Sequence, residues 1–140
     1  MSNVVMAILV LVVTFIIASY GVYSNVEASR RTQLASSVGS TIARDAAHVQ
    51  SVAQDLGRVP DAADVDDGRF ARESGDAMQF SYVVAGGAGY VCGVVGRSDD
   101  ITREAMNKVV RDHPGAFVSG QCGSSGASIS DSVAVSLKVA

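Results

Sequence analysis

The sequence predicts an α+β protein, with one long N-terminal α-helix packed on a small, mostly antiparallel β-sheet. Three observations carry that prediction. A charge-free apolar run fills about the first twenty residues, and an apolar stripe at helical period follows it with no proline before Pro60. Short alternating runs separated by Gly- and Ser-rich turns make up the C-terminal half. The 140 residues then divide into an apolar stem helix at 1–24, an amphipathic continuation at 25–57 and a globular head at 58–140.

The stem is the first element. Twelve of the residues from Val4 to Val22 are Val, Ile, Leu or Phe, and the less apolar exceptions are Thr14, Ser19, Tyr20 and Gly21. At roughly 0.3–0.6 kcal/mol each, twelve such side chains favour membrane insertion by about 4–7 kcal/mol. As a helix the run is about 30 Å long, the thickness of a bilayer's hydrocarbon core. A cleaved secretory signal would need a basic region ahead of a shorter apolar core, whereas the first basic residues here are Arg30 and Arg31. Those arginines follow the run, so the positive-inside rule places the rest of the chain in the cytoplasm. The cysteines described below favour an oxidising exterior instead. The two are reconciled if a short basic leader once preceded Met1 and has been removed, which is the expectation adopted.

The second element continues the first. Leu34, Val38, Ile42, Val49, Val52 and Leu56 fall at helical spacing and form one stripe, widened by Ala35, Ala46 and Ala53. Arg30, Arg31, Arg44, Asp45, Gln50 and Gln54 are expected on the other faces. Gly57 is the expected C-cap, with Pro60 beyond it. Gly21 and Gly39 are expected sites of bending or local unwinding, because glycine costs a helix about 1 kcal/mol relative to alanine. The stripe from Leu34 to Leu56 needs an apolar partner, and the head is expected to supply it.

In the head, residues 58–78 read as a polar, Asp-rich loop with a short helix around Phe70. "QFSYVV" and "YVCGVV" read as two strands joined by "AGGAG", with Phe80, Tyr82 and Val84 on one face. That Gly-rich turn lacks the helix start and Lys-Ser/Thr pair of a phosphate loop. "SDDITREAMNKVVRDHPG" reads as a helix N-capped within Ser98–Asp100. Its buried face holds Ile101, Ala105 and Val109, and Pro114 and Gly115 stop it. "AFVSG" and "VAVSLKV" read as further strands, the last one half-buried. His113 reads as a capping or surface residue.

Cys92 and Cys122 are the only cysteines. A bond between them would close a loop of about thirty residues and stabilise the fold by about 3–4 kcal/mol. Two reduced core thiols are the alternative. Neither the cysteines nor His48 and His113 have metal-ligand spacing, and no nucleophile–base pair can be nominated. The net charge of −3 and the lack of a Lys/Arg run argue against a nucleic-acid stripe. No enzyme, cofactor or metal site is expected.

A charge-free apolar start, a helix continuing past residue 50 and the pattern "YVCGVVG…SGQC" together resemble a type IV pilin. The resemblance is closer to the type IVb group, which includes conjugative thin-pilus pilins. It implies a subunit held in the bacterial inner membrane and then polymerised into an extracellular pilus, with no cofactor. Its implied partners are further copies of itself in a helical homopolymer, the pilus assembly machinery, and a host or recipient-cell surface. It implies N-terminal processing and methylation at Met1, and filament-core packing by Val4, Val5, Ile8, Leu9, Val12, Phe15 and Ile16. The Cys92–Cys122 segment would match the family's disulfide-bounded region. Val5 stands where most pilins carry Glu, and Gly21 stands near the family's usual proline. The alternative from another class is a monomeric, single-pass anchored protein with an extracytoplasmic binding domain.

Overall fold

The computed structural model describes residues 2–65 and 78–140. The methylation site expected at Met1 and the short helix expected around Phe70 lie outside them. The elements are α1 (Ser2–Leu56), β1 (Met78–Ala85), β2 (Ala88–Val95), α2 (Asp100–Asp112), β3 (Ala116–Ser119) and β4 (Val133–Lys138). All strand pairs are antiparallel, in the order β1-β2-β4-β3. The fold class is the α+β arrangement expected from the sequence.

At 55 residues, α1 is about 80 Å long. It stays α-helical through Gly21 and Gly39, so the unwinding expected at Gly21 does not occur. Propagating a helix already nucleated on both sides outweighs the modest glycine penalty. Gly39 has a different role: a Cβ there would lie 3.0 Å from Cε1 of His113, so its bareness lets the end of α2 approach α1. Gly57, with φ of 65°, ends the helix as expected, and its N–H donates to the Ala53 carbonyl.

The stripe on α1 is buried at Leu34, Val38, Ile42 and Val49, helped by Ala35 and Ala46. Val52 is only half-buried. Leu56 corrects the expectation for the stripe's last member: it remains 44% exposed, because it lies in the final turn, past the cover of the head. Asp45 is a second correction. It lies between Ile42 and Val49 on the covered side and is buried, with Arg44 Nε 3.5 Å from its carboxylate.

The opposing layer is the inner face of the sheet together with α2. Met78, Phe80 and Tyr82 from β1, Val91 and Val95 from β2, and Val133 and Val135 from β4 join the α1 stripe in one core. Each such side chain contributes about 1.5–3 kcal/mol on burial. Val84, expected on the same face, is 41% exposed; it sits at the hairpin end opposite Gly89, which offers no side chain. Gly86 and Gly87, with φ of 58° and 78°, supply the two positive-φ positions of a two-residue hairpin loop.

In α2, Asp99 is the N-cap and accepts from the Thr102 N–H at 2.8 Å. Hydrogen bonds from Thr102, side chain first and backbone second, hold the Asp99 carboxyl below its ordinary range. The buried face is Thr102, Ala105, Met106 and Val109, while Ile101 is only half-buried. The helix is therefore rotated slightly from the expected Ile101–Ala105–Val109 line. His113 caps the end: its backbone N–H donates to the Val109 carbonyl, and its Nδ1 lies 3.0 Å from that same oxygen.

Cys92 and Cys122 form a disulfide with a Cα–Cα separation of 5.7 Å, so the reduced-thiol alternative is not the state observed. It ties the segment after β3 onto the outer face of the sheet. There Ser136 accepts from the Gly123 N–H at 3.0 Å and lies 3.4 Å from Cys92 Sγ, toward which its hydroxyl donates. This cover buries Ala134 and Ser136, so β4 is buried on both faces over Val133–Ser136 rather than half-buried as expected.

Candidate functional site

The head covers one end of α1 and leaves the other bare. From Val4 to Val26, the large apolar side chains of the stem are between 44% and 72% exposed, and Tyr20 and Tyr23 reach 76%. The filament-core candidates Val4, Val5, Ile8, Leu9, Val12, Phe15 and Ile16 all lie on this uncovered surface. They lie along one side of the helix, and Met6, Val10, Leu11, Val13 and Ile17 make its other sides apolar and exposed as well. A helix that is apolar all round requires an apolar environment on all sides. A contiguous exposed patch on this scale marks an interaction surface. The helix is long and apolar enough to cross a membrane by length and composition.

The Thr and Ser hydroxyls from Thr14 to Ser24 are satisfied locally. The Thr14 hydroxyl lies 2.9 Å from the Val10 carbonyl, to which it can donate, and 3.0 Å from that of Leu11. Ser19 donates to the Phe15 carbonyl at 2.8 Å, and Ser24 to that of Gly21 at 3.0 Å. These three hydroxyls are thus paired without water, as lipid or a dry helix bundle demands. The spacing of hydroxyl residues within an apolar run could have signalled this from the sequence. So could the tyrosine pair: Tyr20 and Tyr23 close the run as amphipathic rings suited to a membrane–water boundary.

Beyond them the first charges appear. Arg31 pairs with Glu27 one turn earlier and with Glu104 on α2, which fastens the head to the top of the stem. The second contact was not legible in the sequence, because it joins residues far apart in the chain. Glu27, Arg30 and Arg31 therefore mark where bare helix gives way to covered helix, a few residues past the stem boundary expected at 24.

Elsewhere, the shifted titrations belong to caps, ion pairs and one buried phenol. A hydrogen bond from the Asp61 backbone N–H, with Arg58 adding to it, lowers Asp64. The Lys108 ammonium, 2.7 Å away, lowers Asp112. Burial, reinforced by the Asp61 and Asp64 charges, raises Tyr82, whose hydroxyl donates to the Pro60 carbonyl at 2.7 Å. Among the described residues, no group of three or more His, Cys, Asp or Glu side chains is placed to hold a metal ion. Comparison of the chain with protein-family models, with curated proteins and with solved structures finds no match.

Proposed function

We propose that this chain is a structural subunit of an extracellular filament of the type IV pilus kind, polymerising through its apolar N-terminal helix. One observation carries this reading: a charge-free, all-round apolar stem runs, in one unbroken helix, into the core of a disulfide-stabilised head. A simple anchor needs about twenty apolar residues and tolerates a flexible join to its domain. Here the stem continues as helix for several residues past Val22 before the head begins, so stem and head orient each other rigidly.

The stem would occupy two environments in turn. In the inner membrane, residues 4–22 lie in lipid with Tyr20 and Tyr23 at the boundary. On assembly the same side chains exchange lipid for the stems of neighbouring copies. Lipid and a helix bundle are about equally apolar, so the exchange rests on close packing rather than on the hydrophobic effect. Extraction from the membrane would be driven by an assembly machine. Without a carboxylate at Val5, the stems dock by packing alone. The disulfide is consistent with a head outside the cytoplasm.

The second reading, a monomeric single-pass protein with an extracytoplasmic binding domain, is favoured by the tyrosine pair and the bilayer-matched run. Leu9→Arg separates the two. An arginine near mid-span costs about 3 kcal/mol on insertion scales and cannot be packed among stems. The filament reading expects subunit to remain in the membrane fraction, with filament yield falling to background. Normal filaments from Leu9→Arg would remove the stem from the filament core.

A further inference from the structure

A cleft of about 300 Å³ opens between α1 and α2 where the head meets the stem, lined by Arg31, Thr32, Glu104, Asn107, Lys108 and Arg111. Its cations are unequally engaged. Lys108 is held by Asp112, and the guanidinium tip of Arg31 by Glu27 and Glu104. The Arg31 Nε, however, is buried with no hydrogen-bond partner. Arg111 is exposed and forms no ion pair among the described residues. The reachable unspent donors of the cleft are therefore those of Arg111, a guanidinium suited to a carboxylate.

We infer that this cleft takes acidic side chains from the far end of a second copy's head, Asp55 foremost, so that copies join end to end. The inference rests on the polymer reading above. Its occupant is argued from charge. Among the described residues, the far end of the head carries Asp55, Asp61 and Asp64 beside Arg58, and that arginine is already shared between Asp61 and Asp64. Asp55 is exposed and forms no ion pair among the described residues. Opposed charge at the two ends of one head makes a heterologous contact that repeats without closing, which is what a filament needs.

Geometry supports the same pairing. Arg31 and Asp55 are separated by 24 residues of one helix, about 36 Å. A copy displaced by that distance along α1 brings its cleft level with its neighbour's Asp55. The same displacement lays its stem residues 7–26 beside residues 31–50 of the neighbour's α1. The uncovered side there has Ser36, Ser40, Ala43 and Ala47 along its middle, small residues that let helices approach closely, with Gln33, Arg44 and Gln50 exposed beside them.

The test is charge reversal in the full chain, expressed in filament-producing cells. Filament yield in sheared surface material is compared for wild type, Arg111→Glu, Asp55→Arg and the double variant. Non-reducing gels confirm the Cys92–Cys122 bond, and hence a folded head, in each. Each single reversal should lower yield by about tenfold or more, and the double should recover to within about twofold of wild type. The neutral Arg111→Gln should fall between. Undiminished yield from both single variants, or a double no better than the singles with every head folded, would overturn the pairing and leave the polymer reading standing. If wild type yields no filaments, both fall together.

Discussion

Two glycines of the same helix illustrate what single residues decide. Gly21 has nothing within 4 Å of where a Cβ would stand, whereas Gly39 faces the His113 ring at 3.0 Å. Gly39→Val should therefore force the end of α2 away from α1 and destabilise the head by about 1–3 kcal/mol. Gly21→Ala should leave the head's unfolding midpoint where it is. Thermal melts of the detergent-solubilised chain check both, and equal midpoints would mean that the α1–α2 approach is not tight at Gly39. The sequence offered both glycines as breaks, because spacing alone cannot distinguish a weak point from a contact point.

Tyr82 is the other informative residue. Its hydroxyl is buried on the Pro60 carbonyl, so Tyr82→Phe should cost about 1–2 kcal/mol by leaving that oxygen unpaired. Burial, with the Asp61 and Asp64 charges, raises its pKa above the ordinary 10.0. The folded state then holds the phenolic proton more firmly than the unfolded state does. This contribution is fully present below pH 10 and is lost as pH rises through the raised value. Wild type should lose stability more steeply than Tyr82→Phe above pH 10 in urea titrations; parallel curves would show that Tyr82 is not the group responsible.

At the scale of elements, the helical stripe was legible and its extent was not. Leu34, Val38, Ile42 and Val49 follow the 3.6-residue period onto the covered side, yet period says nothing about how far the opposing sheet reaches. Ile42, fully buried, should cost about 2–5 kcal/mol as alanine, while Leu56→Ala should cost under about 1 kcal/mol. Urea unfolding decides this, and comparable losses at the two sites would place Leu56 in a contact not described above.

The strands teach a related lesson. Alternation in "VAVSLKV" implies one wet face, but a segment pinned by the Cys92–Cys122 bond covers Ala134 and Ser136. Small residues on the outer face were the available signal, since cover packs closely only over short side chains. Asp45 was missed for the opposite reason: its charge suggested solvent, although its spacing from Ile42 and Val49 already placed it on the stripe.

For the whole molecule, the α+β architecture, the single long helix and the disulfide pairing were within reach of the sequence, because each rests on local spacing or on a two-cysteine count. The Arg31–Glu104 link and the cleft beside it were not, because they join residues more than seventy positions apart. Together they describe a chain built in two parts. The head is held by a core it shares with the second half of α1 and by its disulfide, and among the described residues the stem has no partner. The apolar stem therefore demands lipid or other stems, and its rigid continuation into the head makes any stem bundle position the heads as well.

The most direct measurement is immunogold electron microscopy of filaments sheared from cells producing the chain, using an antibody against residues 78–140. The filament account predicts gold along the whole length of filaments, with the same chain recovered from them intact. Labelling confined to membrane fragments, with unlabelled filaments or none, would contradict it.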